Sequence, residues 1–170
     1  MRDWIRLLNI AAINGLLLCA AAYAQASNVQ ARNKESSGHG YAFFAPGGVS
    51  DSSTAWAHVG GGGEGIFGNG VGVGAELGYV TPLKSWGDGL GLFSLNGAYH
   101  FKNASKVVPF VTGGYSGFFR GGYANGFNVG GGVNYWLQER VGLRFEFRDQ
   151  VPGNTDLGHL YEFRFGVTFR

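Results

Sequence analysis

The sequence predicts an all-β protein, an eight-stranded antiparallel up-and-down transmembrane β-barrel preceded by a cleavable signal peptide. Three observations carry this prediction. The first is composition: 32 glycines and 15% aromatics stand beside only 14% charged residues, where an average soluble domain has about 25% charged residues and about 7% Gly. The second is a period-two pattern in segments of about nine to twelve residues, parted by Gly, Asn, Asp, Ser and Pro clusters, with no amphipathic helical stripe anywhere. The third is a difference in bulk between the two faces of those segments, one large and apolar, the other small and polar.

The totals exclude several classes. A chain of 170 residues makes one domain of ordinary size. Its aromatic content excludes a disordered chain, and its irregular glycine spacing excludes collagen. A formal net charge of +2 with scattered basic residues lacks the footprint of a nucleic-acid binder. The lone cysteine, Cys19, builds neither a disulfide framework nor a zinc site, so no metal and no cofactor are expected.

Arg2 and Arg6, an almost wholly apolar stretch from Leu7 to Ala22, and small-x-small sites at Ala22-Tyr23-Ala24 and Ala24-Gln25-Ala26 form a secretory signal peptide over 1–24, cut after 24 or 26. An N-terminal membrane anchor is the competing reading. Its apolar run is broken by Asn9, Asn14 and Gly15 and falls short of the roughly 20 residues that a span requires. A lipoprotein signal at Cys19 would require a small residue before it, where Leu18 stands. Residues 25–37 are polar and aperiodic and read as a flexible segment, leaving 38–170 for the barrel.

Eight strand segments follow, at 38–45, 54–61, 70–81, 89–102, 107–120, 126–137, 141–149 and 160–170. In 126–137 one face is Phe127, Val129, Gly131, Val133, Tyr135 and Leu137, and the other is Asn128, Gly130, Gly132, Asn134 and Trp136. A lipocalin-type soluble barrel would put Lys, Glu and Asp on its wet outer face. The middle strands instead carry Gly72, Gly74, Ser94, Asn96, Thr112, Gly114 and Ser116 there, residues small enough for the narrow interior of an eight-stranded barrel. Val71, Val73, Leu77, Tyr79, Phe93, Leu95, Tyr99, Val111, Tyr115 and Phe119 then face outward, into lipid. Strands can cross a membrane only as a closed barrel, because their backbone groups find no partner in hydrocarbon.

Parity puts Glu76, Arg144, Glu146, Arg148, Glu162 and Arg164 together on the inner face. Reversing those strands would expose Arg residues to lipid at about 2 to 4 kcal/mol each near the midplane. Enclosed charges must pair, and like charges directly opposite are destabilising. The expected register therefore sets Arg148 against Glu162 and Glu146 against Arg164.

The last strand, Y-E-F-R-F-G-V-T-F-R, carries Tyr161, Phe163, Phe165, Val167 and Phe169 on one face, with Phe169 penultimate and Arg170 last. This chain resembles the eight-stranded bacterial outer-membrane barrels, of the outer membrane protein A transmembrane-domain and opacity types. The resemblance implies that these five residues form the signal read by the barrel-assembly machinery, and that no peptidoglycan-binding domain need accompany the barrel. With the N-terminus in the periplasm, connections 46–53, 82–88, 121–125 and 150–159 lie outside and 62–69, 103–106 and 138–140 inside. The outer loops are too short for the specific contacts of an adhesin.

Catalytic signals are weak. His39, His58, His100 and His159 lack the His-x-Ser pattern of the lipid A deacylases, so a structural or surface role is expected. Gly60-Gly61-Gly62-Gly63-Glu64-Gly65 matches the dinucleotide fingerprint in letters only, since no helix follows it; it reads as a bend in a Gly-rich strand or turn. The Asn103-Ala104-Ser105 sequon carries no weight in a bacterial protein. Trp56, Trp86 and Trp136 lie near strand ends and suit a headgroup belt, with core packing the alternative, most of all for the inward-parity Trp136. The expectation is a non-enzymatic, monomeric outer-membrane barrel in contact with lipid, its lumen plugged by ion pairs and its role structural. The alternatives are a small-solute pore, a lipid-modifying enzyme in the membrane, and a soluble periplasmic binding barrel.

Overall fold

The computed structural model describes residues 37–50, 52–101, 106–153 and 158–170. The expected signal peptide, all of the polar segment except Ser37, and the sequon lie outside the described residues. Eight strands follow in chain order: β1 (Ser37–Val49), β2 (Ser52–Ile66), β3 (Val71–Pro82), β4 (Leu90–His100), β5 (Val107–Phe119), β6 (Tyr123–Trp136), β7 (Val141–Pro152) and β8 (Leu160–Phe169). Each pairs antiparallel with the next, and β8 returns to β1 to close the barrel. No strand edge is left to the surroundings.

Burial alternates along the strands with period two. Odd residues of β1 and even residues of β2 through β8 are the buried, inward set, while Val73, Leu77, Leu95, Val111, Phe127, Val129, Phe163 and Phe165 are exposed on the outside. An exterior of large apolar side chains around an interior of buried polar ones inverts the usual soluble arrangement.

The boundaries that differ most from the sequence reading are that β1 runs on to Val49, β2 to Ile66 and β7 to Pro152, and that β6 starts at Tyr123. The glycine run is therefore continuous strand, not a turn. Gly60 pairs with Phe43 and Gly78, and Gly62 with Tyr41 and Glu76. A Cβ on Gly62 would lie 2.5 Å from the Ala75 carbonyl oxygen and 3.0 Å from the Tyr41 ring. The glycines supply the space into which the large inward side chains of β1 lie.

Trp56 is buried inside the barrel, not in a headgroup belt. Its even parity on β2 aims it inward, where it packs with Val80, Leu92, Phe118 and Leu160 at the end of the lumen away from the chain termini. Trp136 is also buried, at the opposite end, under the Arg170 guanidinium at 4.0 Å. Trp86 is exposed, in a short 3-10 turn (Trp86–Asp88) between β3 and β4. That connection is tied to the barrel wall, since the Tyr79 and Thr81 hydroxyls both donate to the Trp86 carbonyl oxygen.

Candidate functional site

The site is the lumen itself. Glu76, Arg144, Glu146, Arg148, Glu162 and Arg164 all lie inside it, none more than 5% exposed. In a ring of eight strands β3 stands across from β7, so Glu76 reaches β7 and β8 from the far wall. It accepts hydrogen bonds from Arg148 Nη1 and Arg164 Nη1, both at 2.8 Å, and from the Tyr41 hydroxyl at 2.7 Å. One carboxylate thus ties β3 to β1, β7 and β8.

The lattice continues along the strands. Arg148 Nε and Arg144 Nε both donate to Glu146, at 2.5 and 3.0 Å, and Arg164 Nε donates to Glu162 at 2.7 Å. In register, Glu146 stands opposite Arg164 and Arg148 opposite Glu162. The strongest ion pairs nevertheless do not run between those facing residues: Arg164 approaches Glu146 only to 3.9 Å. Directly opposed Cβ atoms are about 4.5 to 5.5 Å apart, too close for two long side chains to meet head to head. Each arginine instead extends to the carboxylate two residues along its own strand, and Arg148 and Arg164 also reach across the lumen to Glu76. The arginine planes also lie over aromatic rings, Arg144 on Phe110 at 4.0 Å and Tyr41 at 4.4 Å, and Arg164 on Phe43 at 4.2 Å.

Sequence reasoning missed the two ends of this lattice. Towards Ser37 and Arg170, Glu64 Oε1 accepts from His100 Nε2 at 2.7 Å, and the carboxylate lies 3.6 Å from His39 Nε2 and 3.9 Å from Arg144. Towards the other end, Glu162 meets His58 Nδ1 at 2.8 Å and accepts from Gln150 at 3.2 Å. From Gln150 a chain of side-chain hydrogen bonds passes through Ser116 and Asn128 to Asn96. Three histidines read from sequence as structural are thus buried partners of carboxylates. The available signal was parity: extending the β2 alternation through the glycines puts Trp56, His58 and Glu64 on one face.

Among the described residues the serine hydroxyls of the lumen do not meet a histidine ring. Ser94 and Ser116 bond to each other at 3.2 Å and to amides, not to a histidine. His159, on the rim, holds Asp149 through Nδ1 at 2.8 Å, but the neighbouring Ser50 Oγ accepts the main-chain N–H of His159 at 3.2 Å. A nucleophile needs its hydroxyl on the imidazole. Among the described residues no group of three or more His, Cys, Asp or Glu is arranged to hold a metal ion. The five aromatic and aliphatic residues of β8, Tyr161, Phe163, Phe165, Val167 and Phe169, stand exposed on the outer face, and a Cβ on Gly40 of β1 would lie 2.6 Å from the Phe169 ring.

A closed ring of eight antiparallel strands with an apolar outside and an ion-paired inside defines an eight-stranded barrel of the outer-membrane type. Solved structures of that type are similar to it. The N-terminal β-barrel domain of Pseudomonas aeruginosa OprF matches with a TM-score of 0.60 at 18% identity, over 79% of this chain and 96% of that one. Neisserial surface protein A (NspA) matches with a TM-score of 0.60 at 18% identity, over 79% of this chain and 97% of that one. A de novo designed transmembrane β-barrel matches with a TM-score of 0.52 at 16% identity, over 77% of this chain and 93% of that one. At these identities the likeness is one of fold, and a designed barrel among the matches makes the point that fold carries no particular activity. No family model and no curated protein matches the sequence.

Proposed function

We propose that this protein is an integral, monomeric barrel of the bacterial outer membrane with a structural, envelope role and no enzymatic activity, its lumen sealed by the ion-pair lattice. The observation that carries the reading is Glu76, which binds two arginines from the opposite side of the lumen and a tyrosine of β1. Buried charges satisfied in this way fill the cross-section that a pore would need, and aqueous channels belong to barrels of about 16 to 18 strands. The exposed apolar exterior supports insertion in lipid. The leader at 1–24 supports export, and the outward face of β8 supports recognition by the barrel-assembly machinery.

Refolding the chain into lipid tests the reading. The expected result is heat-modifiable migration on gels, the mark of a closed barrel, together with electrically silent planar bilayers. Steady ionic current through the unaltered protein, or recovery from the periplasm without detergent, would overturn it.

A further inference from the structure

The two ends of the lumen differ in polarity. At the end near Ser37 and Arg170 the buried rings of Phe110 and Trp136 lie among the buried polar side chains of His39, Glu64, His100, Asn134 and Arg144. At the other end Trp56, Val80, Leu92, Phe118 and Leu160 form a buried apolar cluster, with Val49, Leu90 and Ala124 packed against it. Pro152 of β7 is buried at the same end, so all eight strands contribute an apolar residue there. Within the cluster the Trp56 Nε1 is the polar side-chain atom, and it has no partner.

These two regions resist an ion differently. In the lattice an ion or water meets fixed charges on flexible stems, which can exchange a protein partner for a solvent one. In the apolar cluster the one polar side-chain atom is the Trp56 Nε1, a donor that cannot replace the water around a cation, so the ion sheds its hydration almost without compensation. Apolar constrictions block conduction by excluding water, even where they are not sterically closed.

We propose that the apolar cap built on Trp56, Leu92 and Phe118 is a second permeability barrier of this barrel, sufficient to keep the lumen closed when the ion-pair lattice beneath it is loosened. The proposal rests on the reading of the chain as a sealed membrane barrel and adds a second seal to it. In the orientation with the termini in the periplasm, the cap closes the mouth that faces the outside and the lattice faces the cell.

Conductance of three refolded variants in planar bilayers tests it. Glu76→Gln with Arg148→Gln loosens the lattice under an intact cap; Trp56→Ser with Phe118→Ser opens the cap; the third variant carries all four changes. The lattice variant and the cap variant each keep one barrier and stay as silent as the unaltered protein, and the four-fold variant loses that silence and gives discrete current steps. Current through the lattice variant, or silence in the four-fold variant, overturns the proposal, and current through the cap variant overturns the lattice as a seal. Current through the unaltered protein would instead be a failure of the sealed-barrel reading, so the two failures are told apart by the first trace. Heat-modifiable migration verifies that each variant is closed. Where the serine pair fails to fold, Leu92→Asn replaces it, wetting the cap without emptying it, with the same expected outcome in the loosened lattice.

Discussion

The β7–β8 wall and the β2–β3 wall enclose the same lumen by opposite means. The first points Arg144, Glu146, Arg148, Glu162 and Arg164 inward, and the second offers Gly60, Gly62, Gly72, Gly74 and Gly78 around the carboxylates of Glu64 and Glu76. The difference is a volume rule. An eight-stranded lumen is only wide enough to be filled by side chains, so full-length arginines on one wall require bare backbone elsewhere. Gly130 and Gly132 of β6 stand directly opposite Arg148 and Glu146. On the other side a Cβ at Gly72 would collide with Glu64 and one at Gly78 with His58. The high glycine count is therefore the complement of the buried charge.

Removing an arginine breaks the filled wall, and the largest effect is expected there. Arg148 is fully buried and joins Glu76 to Glu146. Arg148→Ala leaves two carboxylates short of a partner, a change that costs about 3 to 5 kcal/mol for a buried pair. The expected outcome is a clear fall in the urea midpoint of the refolded barrel; a midpoint equal to that of the unaltered protein would mean that the lattice contributes nothing.

Filling the bare wall is the converse experiment. Gly62→Val drives a side chain into the Tyr41 ring and the Ala75 carbonyl, and overpacking of this kind costs about 1 to 3 kcal/mol. Its neighbour provides the control, because Gly63 is exposed on the outer face and a Cβ there has its nearest neighbour, the His39 carbonyl oxygen, at 3.8 Å. Gly63→Val is expected to stay within about 0.5 kcal/mol of the unaltered protein. Equal losses at the two positions would remove the volume rule and leave only the lower strand propensity of glycine.

The same contrast explains what could be read in advance. From Leu143 to Arg148 of β7 every second residue is charged and every other one is Leu or Phe, so the faces are unambiguous and five charges on two adjacent strands have one tolerable address. Glycine has no side chain to report parity. The run from Gly60 to Gly63 therefore hid the continuation of β2, and Glu64 was assigned to a connection instead of to the lumen. With Glu64 misplaced, His39 and His100 had no visible partner, and Trp56 lost the strand phase that would have aimed it inward. Pairing across the lumen was also out of reach, since Glu76 meets Arg148 and Arg164 only once closure brings β3 opposite β7.

A smaller change probes the one strand that touches both walls. Tyr41 of β1 lies over Gly62 and donates its hydroxyl to Glu76. Tyr41→Phe keeps the ring and removes only that bond, and hydrogen bonds to charged groups contribute roughly 1.5 kcal/mol or more. Equilibrium unfolding should register a loss well below that of Arg148→Ala. A loss as large would mean that the hydroxyl, and not the guanidinium, holds Glu76 in place.

The smallest effect belongs to an ion pair of the same chemistry placed outside the lumen. Arg120 and Asp88 bridge the β5–β6 and β3–β4 connections at 2.9 Å, with more than half of each side chain exposed. Water already solvates both groups, so their pairing replaces good hydration with a contact of similar worth, and exposed pairs contribute about 0 to 1 kcal/mol. Asp88→Ala should shift the unfolding midpoint little, and that shift should vanish in high salt as screening removes the attraction. Glu76 and its arginines have no such access to counterions, and the Arg148→Ala loss should persist at the same salt. If both losses faded together, the lattice would be as wet as the rim, and burial would not be what distinguishes them.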